Sequence, residues 1–387
     1  MTLRDIFLLD PTVAFLNHGS FGAAPRPVMQ DYQEWQIRLE REPVQFMATE
    51  LPGLLARARE ALGGFVGARP EDLVFVPNAT YAVNAVARSI KLDPGDEVLA
   101  TDHEYGACDR TWEFACLESG ARYVRQPISL PAESSEAIVD QLWHGVTPRT
   151  RLIALSHITS PTALTLPAES IGRRAREQGI LTLIDGAHAP GQIPLHLATL
   201  GVDFYAGNCH KWMMAPKGAG FLFARPEVQG LVQPLVVSWG WQPEPWFTTG
   251  SPFVDLFEWG GTDDPAAFLA VPAAIEFMSR HEWSAVRAEC HALLRRALQE
   301  IGEQTGLAGV YAANDGLYHQ MGIAPLPPVG DVQEFQKRLY VEHRVEVPVL
   351  EWNSRPFVRI SVQGYNTQAD LDRLRQALGT LLSNTPR

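Results

Sequence analysis

Short apolar runs rich in β-branched residues recur at 73–76, 97–101, 122–124, 152–156, 180–184 and 203–207. The run at 180–184, of apolar and β-branched residues, predicts a strand covered on both faces. Between them lie segments with apolar residues at helical spacing: 27–41, 54–65 ending at Gly63-Gly64, a stretch opened by Pro77-Asn78-Ala79-Thr80 and running to about residue 90, then 109–118 and 168–178. Strands alternating with helices predict an α/β fold with a mostly parallel sheet. Residues 218–224 read as the closing strand.

The pattern changes after that strand. Residues 234–265 are loop-like and carry Trp239, Trp241, Trp246, Phe247, Phe253, Phe257 and Trp259. A loop of that length in a compact enzyme is usually functional, so it is expected to help select the substrate, although packing is the commoner use of such residues. A helical stretch at 265–278 follows. Helices at 284–305, 331–343 and 367–382, with strands at 318–323, 345–349 and 357–362, predict a smaller α+β unit. At 387 residues the chain exceeds one ordinary core. A large domain is expected over 17–265, and a small one over 1–16 and 266–387.

Composition narrows the function classes. A hydrophobic share of 46% and a charged share of 20% fit a soluble globular protein. The net charge of −12 argues against nucleic acid or an anionic membrane as partner, while leaving room for a local basic pocket. The four cysteines, Cys108, Cys116, Cys209 and Cys290, fall in no paired metal spacing and fit a reducing compartment. With no signal-peptide pattern and no run long enough to span a bilayer, the expectation is cytoplasmic.

The chemistry gathers at strand ends. Strand 180–184 runs into Asp185-Gly186-Ala187-His188, and strand 203–207 runs into Asn208-Cys209-His210-Lys211-Trp212. An acid and a lysine at neighbouring carboxyl ends face the crevice where open α/β sheets bind ligands. Pyridoxal phosphate needs that pair: a lysine to form the Schiff base and an acid to hold the pyridinium nitrogen protonated. Lys217, in the turn Pro216-Lys217-Gly218, competes with Lys211, and both could be surface lysines. Asp185 could equally cap its own turn.

Asn78, Ala79 and Thr80 at a helix start could hold a phosphate through free N–H groups and the helix dipole, as could Asn208 and His210. Simple helix capping is an even alternative. His103 and Tyr105 end another strand, where a ring could stack on a cofactor or merely pack. Arg359 stands in the apolar strand Phe357-Val358-Arg359-Ile360-Ser361-Val362. There it needs a partner, either a substrate carboxylate or a structural acid.

Together these residues resemble fold-type I pyridoxal-phosphate enzymes of the class V aminotransferase and cysteine desulfurase group, over nearly the whole chain. Leu16-Asn17-His18-Gly19-Ser20-Phe21-Gly22, Thr101-Asp102-His103-Glu104-Tyr105-Gly106 and His210-Lys211-Trp212 resemble its isopenicillin N epimerase-like branch. The resemblance implies a type I fold with a seven-stranded-type sheet, Lys211 as Schiff-base lysine and Asp185 as ring-nitrogen partner. It implies Thr80, Asn208 and His210 around the phosphate, His188 and Ser160 near the ring's phenolic oxygen, and His103 or its rival Tyr105 stacking on the ring. It also implies Arg359, with Asn17 and His18, at the substrate, and a homodimer in which Gly261-Thr262 reaches the neighbouring site.

The implied activity starts at Cα of an amino acid. Epimerisation ranks first, C–S β-elimination from a cysteine derivative or its sulfoxide second, and transamination third. A non-catalytic binding protein on the same fold is the alternative of another class. No cysteine follows Cys290, which argues against persulfide-forming desulfurase chemistry.

Overall fold

The computed structural model describes residues 3–242, 244, 248–311 and 315–383. Trp246 and Phe247 of the aromatic stretch lie outside the described residues. Seven strands form the main sheet: β1 (Leu73–Val76), β2 (Glu97–Thr101), β3 (Arg122–Gln126), β4 (Thr150–Ser156), β5 (Leu181–Gly186), β6 (Phe204–Asn208) and β7 (Gly220–Ala224). Their order across the sheet is β1-β7-β6-β5-β4-β2-β3. All neighbours run parallel except β7, which is antiparallel to both β1 and β6. The strand expected to close the sheet is therefore internal, and β1 forms that edge.

Every residue of β1, β2, β5 from Thr182 onward, β6 and β7 is buried. This accounts for the unbroken apolar runs: helices cover both faces, and two separate apolar clusters form, one on each side. The helix expected to stop at Gly63-Gly64 continues to Val66 and ends at Gly67, the left-handed C-cap at φ 66°. Gly63 stays helical because its Cα faces the carbonyl of Ala68, where a Cβ would come within 2.7 Å.

A second sheet is built from β8 (Met321–Pro325), β9 (Val349–Trp352) and β10 (Arg355–Ser361), all antiparallel, in the order β9-β10-β8. Helices Trp283–Thr305, Val332–His343 and Gln368–Ser383 share its apolar cluster, and Ala14 and Leu16 enter the same cluster. The helix Val271–Arg280 instead shares the main cluster with helices Arg26–Arg41 and Leu51–Val66. After Leu16, the first helix that contributes to this cluster is Trp283–Thr305, through Cys290, Leu294, Ala297 and Ile301. No described helix is long and apolar enough to cross a membrane.

Candidate active site

The carboxyl ends of the parallel strands converge on a cavity of about 350 Å³. Asp185 reaches it from β5, Asn208 and Lys211 from β6, Ser156 from β4, Tyr105 from the turn after β2, and Asn78–Thr80 from the turn after β1. The turn carrying Lys211 is clamped by two glycines in the left-handed region. A Cβ on Gly22 (φ 70°) would sit 2.2 Å from the carbonyl oxygen of His210, and one on Gly191 (φ 88°) would sit 2.4 Å from the carbonyl of Trp212. Only glycine lets both segments approach so closely. The motif 17–22 is therefore a wall supporting the lysine turn.

Lys211 keeps some exposure as a residue, while its amine is enclosed. Burial, aided by Arg359 and opposed by Asp185, pushes its pKa down to about 8. Its Nζ lies 3.3 Å from Nε2 of His188. Lys217 is exposed as its turn suggested, yet it borders the same cavity and donates to the carbonyl of Gly22 at 3.0 Å.

Asp185 accepts from the amide of Ala187 at 2.9 Å and from the thiol of Cys108 at 3.1 Å. Beneath it lies Glu104, whose carboxylate accepts from the hydroxyl of Thr101 and from both the amide and hydroxyl of Ser156. Burial raises Glu104 to about 7, and Asp185 adds to the rise. Sequence reasoning passed over both Glu104 and Cys108. Their only signal was position, on the turn and first helical residues beyond β2, under the strand ends.

The phosphate candidates meet at the start of helix Ala79–Ser89. Asn78 caps the helix by accepting from the amide of Tyr81 at 2.9 Å, and Asn208 accepts from the amide of Ala79 at 2.8 Å. Both asparagines therefore orient the helix end, and the capping reading holds for Asn78. Thr80 lines the cavity. His210 donates Nδ1–H to the carbonyl of Ala219 at 2.9 Å, and burial pushes it down to about 4.

Arg359 settles the question its strand raised. It is 6% exposed and, among the described residues, pairs with no carboxylate. Its guanidinium donates to the carbonyl (2.6 Å) and hydroxyl (3.1 Å) of Ser160 and to the hydroxyl of Ser20 (3.0 Å), leaving Nε without a partner. Burial lowers it to about 10. A buried guanidinium held only by neutral oxygens is a built receptor for a carboxylate. Ser20 and Phe21, which border the cavity, were missed although they stand inside a motif already singled out.

Several expectations need correction. His103 is wholly buried away from the cavity. Its Nε2 donates to the carbonyl of Ile128 at 2.8 Å, its Nδ1 meets the hydroxyl of Thr162 at 2.6 Å, and its ring packs on Trp352 at 4.4 Å. Tyr105, 47% exposed and on the cavity wall, is the ring available for stacking. His18 is also buried outside the cavity: it donates Nε2–H to the carbonyl of Lys211 at 3.0 Å, receives the Tyr365 hydroxyl at 2.9 Å, and is pushed by burial to about 3. Asn17 reaches the site only through Ser20, whose hydroxyl it accepts at 2.5 Å. Neither residue lines the Lys211 cavity, and both act on it through the residues they hold.

Thr262 lies on two other cavities, beside Trp259 and Leu55, away from Lys211 within one chain. The described aromatics of the long loop do not line the Lys211 cavity either. Phe253 and Phe257 are core residues of the helix Pro252–Glu258, and Trp239 is exposed beside the Thr262 cavities.

These residues fit pyridoxal phosphate: a desolvated amine, an acid with its carboxylate at the cavity wall, a helix N-terminus with a hydroxyl, and an Arg without an acid. The comparisons agree. The family model for aminotransferase class-V matches residues 22–323. The chain is 38% identical over 393 residues to isopenicillin N epimerase from Amycolatopsis lactamdurans, covering 98% of this chain and 97% of that one. It is 28% identical to a probable chloroplastic L-cysteine desulfhydrase from Arabidopsis thaliana, covering 96% and 84%. Among solved structures it is similar to the cysteine desulfurase CsdA from Escherichia coli, with TM-score 0.81 and 22% identity over 99% of this chain and 98% of that one. The chain belongs to the aminotransferase class-V family, on the pyridoxal-phosphate type I fold.

Proposed function

We propose that the protein is an epimerase-like enzyme that inverts Cα of an amino acid. When bound, pyridoxal phosphate supplies an electron sink that makes the Cα proton of an amino acid removable. Asp185 holds the ring nitrogen's proton. Thr80, His210 and the start of helix Ala79–Ser89 would hold the phosphate, and His188 and Ser160 would serve the phenolic oxygen. Arg359 grips the α-carboxylate and so fixes which Cα substituent faces Lys211. Lys211, as free amine, takes the Cα proton. Tyr105 enters from the end of β2, three places from β6 in the sheet order, and returns a proton from another side. The observation that carries this reading is Arg359, paired with no carboxylate among the described residues and bonded to Ser160 and Ser20 on the wall of the cavity that holds Lys211.

A second reading, C–S β-elimination from a cysteine derivative, is favoured by the desulfhydrase relatives. Transamination ranks third. Persulfide-forming chemistry is disfavoured because all four cysteines are buried. A purely binding role is disfavoured because Lys211, Asp185 and Arg359 all remain.

The working form is a homodimer in the cytoplasm, in which Gly261-Thr262 of a second copy completes the phosphate site. The exposed Val236, Val237 and Trp239 near that segment supply apolar surface for the contact.

The test is a panel of L- and D-amino acids given to the purified protein, following optical rotation, pyruvate with ammonia, and keto acid separately. Loss of optical activity with neither product selects epimerisation. Pyruvate with ammonia selects the lyase and overturns the first reading. A protein whose visible cofactor absorbance survives Lys211→Ala refutes the assignment of the lysine.

A further inference from the structure

Lys211 is followed by a residue the chemistry above does not use. Trp212 is 0% exposed, and its indole N–H, a donor with no acceptor capacity, must find a partner in the interior. That partner is Nδ1 of His188, 3.3 Å away. His188 is itself 3% exposed, and its other nitrogen, Nε2, lies 3.3 Å from Nζ of Lys211.

Donor counting then leaves one arrangement. A proton on Nδ1 would oppose the indole N–H donor to donor, so Nδ1 must be the acceptor. Neutral imidazole carries one proton, which therefore sits on Nε2 and points at Lys211. An ammonium has three donors and no acceptor, so a protonated Lys211 would face Nε2–H donor to donor. A neutral amine accepts from it. Imidazolium is opposed from every side that packs on His188: burial, Lys211, Arg359 and His18 all disfavour it. Around Lys211 the charged or titratable neighbours are His188, Asp185, Arg359 and Cys108, with Tyr105, His210 and Lys217 on the same cavity. Of these only Asp185 and Cys108 favour the ammonium.

We propose that Trp212 is a positioning residue that locks His188 as the Nε2–H tautomer, so that Lys211 meets a hydrogen-bond donor that favours its free base over the ammonium. The free base is the form able to attack a carbonyl or accept a proton. The proposal rests on reading Lys211 as the reactive amine, yet its test reads the lysine directly and needs no turnover.

Full-length protein freed of cofactor is pulsed with acetic anhydride at a series of pH values, and acetylation of Lys211 is followed by peptide mass spectrometry. The wild-type profile is expected to have its midpoint near 8. Trp212→Phe removes the indole N–H and keeps a ring. It is expected to slow acetylation about threefold to tenfold near neutral pH, the weight of one hydrogen bond, and to move the midpoint upward. His188→Gln is expected to keep the wild-type profile, because its amide accepts from Trp212 through oxygen and donates to Lys211 through nitrogen.

Nitrogen NMR of the wild-type imidazoles, with His188 assigned by its disappearance in His188→Gln, reads the tautomer even if Trp212→Phe does not fold. A folded Trp212→Phe protein with the wild-type profile, or a His188 signal of the Nδ1–H type, overturns the proposal. Survival of the visible cofactor absorbance in Lys211→Ala would instead overturn the functional reading and leave this one standing.

Discussion

Arg359 donates to the backbone carbonyl of Ser160 at 2.6 Å, and this bond, with those to the hydroxyls of Ser160 and Ser20, replaces the acid a buried guanidinium normally requires. Ser160 stands beyond the end of β4 and Arg359 on β10, so the contact joins the two sheets at the cavity. A substrate carboxylate arriving there would supply the missing negative charge.

Arg359→Lys keeps the charge and loses the planar fork. The expected loss in kcat/KM for an α-amino acid is roughly 10- to 100-fold, the weight of a charge-assisted hydrogen bond. The same variant should handle an amine lacking a carboxylate no worse than wild type. Equal losses with both substrates would show that Arg359 serves the fold instead.

Lys211 carries a folding cost of definite sign. Its folded pKa, about 8, is depressed from 10.5, so the protonated form is disfavoured in the folded state. The cost is fully present below about pH 8 and fades as pH rises toward 10.5. Lys211→Met should therefore stabilise the cofactor-free protein at neutral pH by about 1–3 kcal/mol, with the gain disappearing in alkali. Urea unfolding at a series of pH values measures it, and a destabilised variant at neutral pH contradicts it.

Glu104 acts in the opposite direction along the pH scale. Burial raises its carboxyl from 4.5 to about 7, so folding favours the protonated form. The associated stability is complete below 4.5 and is lost as pH rises through 7. Glu104→Gln keeps an acceptor for Ser156 and places an amide donor at Thr101, whose hydroxyl can turn to accept it. It should match wild type in acid and exceed it above neutrality by about 1–3 kcal/mol. Parallel stability curves for the two proteins across that range would refute the assignment.

Gly22→Ala tests the wall behind the lysine turn. The new Cβ meets backbone, His210 O at 2.2 Å and Lys211 Cα at 2.9 Å, at a φ of 70°. Flexible side chains cannot relieve that contact, so the lysine turn must shift. The expected result is a loss of at least about 2 kcal/mol in stability and a marked drop in pyridoxal phosphate affinity by equilibrium dialysis. Wild-type affinity in this variant would mean the turn tolerates displacement.

How much was legible in the residues varied with the range of the interaction. Apolar runs placed the inner strands, because a strand buried on both faces has no polar side to hide, whereas β3, exposed or half-buried along its length, carries no such run. The strand-end residues Asp185 and Lys211 were legible for the same reason: the chain leaves a buried strand only where the crevice opens. The edge position of β1 and the reversed β7 were not legible, since strand order depends on crossovers that leave no local pattern. The helix Ser135–Trp143 also went unread.

Sequence alone, then, determined the fold class, the family likeness and the pairing of an acid with a lysine, all of which follow from local patterning and short motifs. Tertiary structure alone decided among equals. His103 and Tyr105 share one turn, yet packing sends the first into the core against Trp352 and the second to the cavity wall. His18 and Ser20 share one motif, yet the first clamps the Lys211 backbone and the second steadies Arg359. For Arg359 a structural ion pair stood slightly ahead of a substrate carboxylate until its neighbours from other elements were known. Such choices turn on which side chains separated by hundreds of residues come within hydrogen-bond reach, and that information exists only once the chain has closed.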